Sequence, residues 1–162
     1  MSANISVVAP WYLPMSSESL PASTHNTIGH QGELFVAQWL QAQGWVVLQT
    51  RWQCRWGELD LIVGQPSATP HQFTAIAFVE VKTRRANNWD LHGKLAITPQ
   101  KQAKLWQAAQ LFLAEHPEWA ELPCQFDVAL VRCDRPPQRP PKSNAPAPPY
   151  HLVEYIPDAF SL

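Results

Sequence analysis

The sequence predicts an α/β sandwich whose sheet is mixed and whose elements run α-β-β-β-α-β-β. Three observations lead there. Gly57–Val63 and Ala75–Thr83 alternate apolar and polar residues with period two, the mark of half-buried strands. Gly32–Gln43 and the stretch from Pro99 to just before Pro117 carry apolar residues at helical spacing. The chain has 162 residues, of which 46% are hydrophobic, enough for one domain with a sizeable core.

Residues 1–26 are rich in Ser, Ala and Pro and lack periodicity, so they read as a disordered extension, with an ordered domain over 27–162. The first helix should bury Leu34, Ala37 and Leu40, with Phe35 and Trp39 alongside, and stop at Gly44. Trp45–Gln49 is a short strand, and a linker through Trp52 and Arg55 leads to the strand at 57–63. Gln65–Thr74, with Pro66 and Pro70, is a hairpin loop before the strand at 75–83. Residues 84–97 read as a loop.

Thr98 and Pro99 suit the N-cap and first turn of the second helix. Its expected core stripe is Ala103, Trp106, Ala109 or Gln110, and Leu113, with Leu105, Ala108 and Phe112 adjacent. Gln125–Val131 and Tyr150–Ile156 are the last strands. Between them, residues 134–149 hold seven prolines among sixteen residues, a flexible insert with polyproline II character.

The net charge is −1, which excludes a polyanion binder that works by overall charge. The distribution is uneven. No Lys or Arg occurs in residues 1–50, whereas Arg51 to Lys104 holds eight basic residues against four acids. Such a local excess can bind phosphate. Cys54, Cys124 and Cys133 match no zinc or redox spacing and are expected as thiols in a reducing cytoplasm. The apolar patch Ile5–Leu13 has no basic residue before it and is interrupted by Pro10 and ended by Pro14, so it is a poor signal peptide. No apolar run is long enough for a membrane helix.

The chemistry concentrates in Gly57-Glu58-Leu59-Asp60-Leu61-Ile62 and Phe78-Val79-Glu80-Val81-Lys82. Alternation puts Glu58 and Asp60 on one face, with Leu59, Leu61 and Val63 on the other. It likewise puts Glu80 with Lys82, opposite Val79 and Val81. If the strands are neighbours, Asp60, Glu80 and Lys82 converge. Two carboxylates about 4 Å apart repel by about 4 kcal/mol at an effective dielectric of ~20, and a divalent cation relieves the conflict. Mg²⁺ or Mn²⁺ held by two carboxylates, with an ammonium beside it, suits phosphodiester hydrolysis. The bland alternative is a structural salt bridge on a sheet face.

The order of these motifs resembles a known family. Gly29-His30-Gln31-Gly32-Glu33 opens a helix, Arg51 precedes the first motif, and Phe78-Val79-Glu80-Val81-Lys82-Thr83-Arg84 follows. Phe126-Asp127-Val128 and Ala159-Phe160 come later. Over roughly residues 27–160 this resembles the YraN-like family of uncharacterised bacterial proteins, itself similar to restriction-endonuclease-like nucleases and Holliday-junction resolvases of the PD-(D/E)xK pattern.

The resemblance implies a restriction-endonuclease-like mixed sheet flanked by helices. It implies Asp60 and Glu80 as metal ligands, Lys82 as the residue orienting the attacking water, and Glu33 as an extra carboxylate near the metal. DNA is the implied partner, branched or single-strand-containing; the local basic excess makes Arg51, Arg55, Arg84 and Arg85 candidate phosphate contacts, against the alternative of exposed loop charge. No membrane partner is expected, and a homodimer is compatible with the pattern. A non-catalytic nucleic-acid-binding module with the same fold is the rival reading, and a scaffold using its proline-rich insert is a third. Glu58 is expected either to support the neighbouring ligands or to pair with Arg51 or Arg55, and Asp127 to be structural. His30 and His92 are minor polar candidates. Trp39, Trp45 and Trp106 are expected in the core, and Trp52, Trp56 and Trp89 are candidates to stack on unpaired bases.

Overall fold

The computed structural model describes residues 28–85, 97–134 and 150–161. The expected extension at 1–26, most of the 84–97 loop (with Trp89 and His92) and the proline-rich insert lie outside the described residues, save Asp134 at the insert's start.

Elements follow the expected order: α1 (Ile28–Ala42), β1 (Val46–Cys54), β2 (Gly57–Pro66), β3 (Phe73–Arg85), α2 (Pro99–Glu115), β4 (Cys124–Cys133) and β5 (Tyr150–Phe160). The five strands form one sheet in sequence order. All neighbours are antiparallel except β3 and β4, which α2 connects as a parallel pair. This is a mixed sheet with helices on its faces, the arrangement expected of a restriction-endonuclease-like fold.

Each face has its own core. On one, Val36, Ala37 and Leu40 of α1 pack over Leu61, Val63, Ala77, Val79, Ala129 and Val131. On the other, Leu105, Ala108, Ala109 and Phe112 of α2 cover Ile62, Ile76, Phe78, Phe126 and Val128. A Cβ on Gly32 would collide with the Thr83 hydroxyl, so α1 lies unusually close to β3.

Several sequence expectations shift. Helix α1 starts four residues before Gly32, which puts Glu33 in the second turn. Leu34 is 41% exposed, and Val36 takes its place in the core. Trp52 is not in a linker: β1 continues to Cys54, and a two-residue turn, Arg55-Trp56, joins it to Gly57, whose φ is 136°. On α2 the buried stripe is Leu105, Ala108, Ala109 and Phe112, while Ala103 and Gln110 are exposed and Trp106 is 36% exposed. The expected stripe lay one residue out of phase, because two adjacent apolar stripes compete on this helix. Gly44, with φ 91°, ends α1 as expected. Thr98 Oγ1 accepts the Lys101 N–H at 3.2 Å, as an N-cap should.

Candidate metal centre

The site forms where β2 parts from β3. Their ladder runs from Pro66↔Phe73 to Leu61↔Val79 and stops there, whereas β2 stays paired to β1 down to Gly57. Below Leu61 the β1–β2 ribbon is free of β3 on one side and free to twist more strongly. Leu59 shows the result. Strict alternation would keep it with Leu61 and Val63 under α1, yet it packs into the core beneath α2.

The notch holds Asp60 and Glu80. Both line one cavity of about 10 Å³, roughly the size of a single water. Asp60 Oδ2 accepts the Val81 N–H at 2.8 Å, so the side chain takes over a donor that the parted ladder leaves behind. Glu80 is buried, and its carboxylate lies between two ammonium groups. Lys82 Nζ is 3.6 Å from Oε1, and Lys101 Nζ of α2 is 3.3 Å from Oε2. The Lys101 contact lacks hydrogen-bond geometry, which leaves Oε2 a lone pair to offer.

Burial, reinforced by the charges of Glu80 and then Glu33, raises the Asp60 carboxyl to about 7. The Val81 N–H and Lys101 oppose the shift. Desolvation disfavours the carboxylate, and a neighbouring acid disfavours it further.

Asp60 also belongs to an acidic triad that does not include Glu80. Ligating atoms of Glu33, Glu58 and Asp60 lie within 4.8 Å of one another, an arrangement that could hold a metal ion. Oxygen atoms around a small octahedral cation stand roughly 3–4 Å apart, so a modest inward movement would suffice. The donors are hard, anionic oxygens, which suits Mg²⁺ or Mn²⁺ better than a soft metal.

Arg51 complicates this set. Its Nε is 3.1 Å from Glu58 and 3.8 Å from Glu33. Burial pushes the Glu58 carboxyl up, but hydrogen bonds from Gln53, at 2.6 Å, and from Arg51 outweigh it and leave the pKa lowered. The same pairing raises Arg51. Glu58 therefore forms the ion pair with Arg51 that the sequence suggested. His30 Nδ1 stands 3.4 Å from Glu33.

The remaining candidates are spread out. Arg84 and Arg85 are exposed at the end of β3. The Arg55 guanidinium lies 4.9 Å from the Trp56 ring centroid. Trp52 packs edge-on against Phe112 and belongs to the core. Trp39 contacts Tyr155, and Trp106 contacts Phe126 while remaining partly exposed.

A profile described as "Uncharacterised protein family UPF0102" matches residues 32–131, well over half the chain and every acid of the site. The chain belongs to that family. A UPF0102 protein of Acaryochloris marina is 54% identical over 129 residues, spanning 78% of this chain and 72% of its own length. One from Trichodesmium erythraeum is 47% identical over 75% of this chain and 71% of its own. One from Nostoc sp. is 45% identical over 85% of this chain and 96% of its own.

In this UPF0102 chain, Lys101 is the site residue that sequence reasoning did not single out. Its signal was present: three residues after the N-cap Thr98, it sits in the first turn of the helix that covers the Glu80 face. Among the described residues no helix is long and apolar enough to cross a membrane.

Proposed function

We propose that this protein is a metal-dependent endonuclease that hydrolyses DNA phosphodiester bonds in the cytoplasm. The observation that supports this best is the notch itself. It brings Asp60, Glu80 and Lys82 together on neighbouring strands, with Glu33 and Lys101 arriving from the two helices.

Asp60 and Glu80 would hold a Mg²⁺ or Mn²⁺ ion, with Glu33 within reach. When bound, that cation supplies charge neutralisation at a phosphate oxygen and a more acidic water. The chain's own residues do the rest. Lys82, beside Glu80 Oε1, holds the attacking water and stabilises charge that builds on the phosphate as the water oxygen bonds to phosphorus. The water gives up a proton to solvent, the P–O bond to the leaving alkoxide breaks, and that oxygen takes a proton from solvent, giving a phosphomonoester and a hydroxyl. Lys101 steadies the other Glu80 oxygen by charge attraction, so the carboxylate keeps its orientation. Arg84 and Arg85, exposed beyond Lys82, would contact backbone phosphates.

One observation favours the rival reading of a non-catalytic nucleic-acid-binding module. Arg51 already faces Glu58 and Glu33, so part of the acidic charge is balanced without metal. A cleavage screen decides between them. The purified protein, with Mg²⁺ and with Mn²⁺, is offered linear, flapped and four-way DNA. Metal-dependent cleavage that disappears in Asp60→Asn supports the enzyme. Binding without cleavage of any substrate supports the module.

A further inference from the structure

Beside the acidic group, the turn between β1 and β2 and the first turns of α2 enclose a second cleft of about 210 Å³. Trp56, Gly57 and Glu58 form one wall, and Lys101, Lys104, Leu105 and Ala108 the other. It is smaller than the ~300–1,000 Å³ of a drug-sized pocket and suits one planar group with its attached charge. The lining pairs aromatic and aliphatic surface with ammonium groups. Lys101 is engaged by Glu80, whereas Lys104 makes no ion pair among the described residues. The Arg55 guanidinium adds positive charge over the Trp56 ring. The N-terminal end of α2, capped by Thr98, adds partial positive charge on the same side. Gly57 has no side chain to obstruct the wall, and a Cβ there would meet nothing within 4 Å.

Glu58 belongs both to this cleft and to the acidic group, so an occupant would lie directly beside the proposed metal. We infer that the cleft between Trp56 and Lys104 binds one unpaired nucleotide of the substrate strand, next to the phosphate to be cut. The base rests against Trp56, Leu105 and Ala108, and Lys104 and Arg55 meet its flanking phosphates. A base still stacked in a duplex cannot enter, so the cleft selects single-stranded or frayed DNA. This inference rests on the proposal that the protein acts on DNA.

The test measures binding apart from cleavage. Fluorescence anisotropy with Ca²⁺ at low salt compares labelled single-stranded and fully paired oligonucleotides of the same sequence. The proteins are the full wild-type chain, Lys104→Glu, Lys104→Arg and Trp56→Leu. Lys104→Glu and Trp56→Leu should each weaken single-strand binding by about 10-fold or more, with a change of no more than about 3-fold on the duplex, and Lys104→Arg should restore it. Lys104 is exposed, so its variants should fold even if Trp56→Leu does not.

Equal single-strand affinity of wild type and Lys104→Glu overturns the inference. So does an equal loss on both oligonucleotides, or no single-strand binding by the wild type. If the strand preference follows Lys104 but the wild type cleaves nothing, the cleft stands and the nuclease reading fails. If the wild type cleaves and Lys104→Glu binds single strands unchanged, the nuclease stands and the cleft fails.

Discussion

Asp60 and Asp127 sit on strands of the same sheet and line the same small cavity, yet their hydrogen bonding is opposite. Asp127 is 1% exposed and is saturated. Its carboxylate accepts from Tyr155 OH at 2.6 Å, the Asp158 N–H at 2.9 Å and the Gln125 amide at 2.9 Å and 3.2 Å. It stands where the β4–β5 ladder skips between Phe126↔Phe160 and Val128↔Ile156, and it ties that irregularity down. Burial and the bond to Asp127 raise the Tyr155 hydroxyl, so it stays a donor. Among the described residues Asp60 accepts one hydrogen bond, from the Val81 N–H, and has another acid beside it. One region uses a carboxylate to close a fold; the other holds a carboxylate short of counter-charge.

The largest expected effect is on stability against pH. The Asp60 carboxyl ionises near 7 in the folded chain and near its ordinary 3.8 when unfolded. Between those values the native form holds a proton that the unfolded chain has released. The Asp60 contribution to metal-free stability therefore falls as pH rises from about 4 to about 7, by on the order of 4 kcal/mol, while the lowered Glu58 carboxyl contributes with the opposite sign. Urea unfolding in EDTA across this range should show that decline in wild type and a flatter profile in Asp60→Asn. Parallel profiles would erase the contrast between the two aspartates.

Lys82→Ala sharpens the contrast on the functional side. It should leave Mn²⁺ affinity, measured by calorimetry, close to wild type while cleavage slows by about 10²–10³. Cleavage at the wild-type rate would remove Lys82 from the chemistry. Asp127→Asn should act on the fold instead. Replacing an acceptor with an amide leaves a buried donor poorly matched and costs about 1–3 kcal/mol in unfolding free energy, with no direct effect on Mn²⁺ binding. A normal melting temperature would show that Asp127 does not secure β5. The smallest change belongs to the exposed arginines. Arg84→Ala with Arg85→Ala should flatten the salt dependence of DNA binding by about 0.9 per lost phosphate contact. An unchanged slope would remove them from the interface.

The strands and their order were readable because period-two alternation survives wherever a strand has neighbours on both sides. It failed at Leu59, where β2 has lost β3 and twists away. The parting of two strands is a tertiary event with no local signature. Helix phase failed on α2 for a different reason: Trp106 and Leu105 offer competing stripes, and only the sheet beneath decides between them. Asp60, Glu80 and Lys82 stood out as residues with the right chemistry in the right phase. Lys101 did not, because a lysine in the first turn of a helix looks solvated until the carboxylate it faces is known. The Arg51–Glu58 pair was foreseeable from shared charge and proximity. The nearness of Glu33 to that arginine needed the fold.

The close seating of α1 on β3 has a consequence for how this centre could drift. Glu33 follows Gly32 in the chain, and Gly32 leaves no room for a methyl group against Thr83. The helix thus acts as a spacer gauge for a carboxylate it carries. Enlarging residue 32 by one carbon would lift Glu33 off the sheet without altering any acid. A lineage that lost the glycine could keep every charged group in its alignment and still have a site of different dimensions.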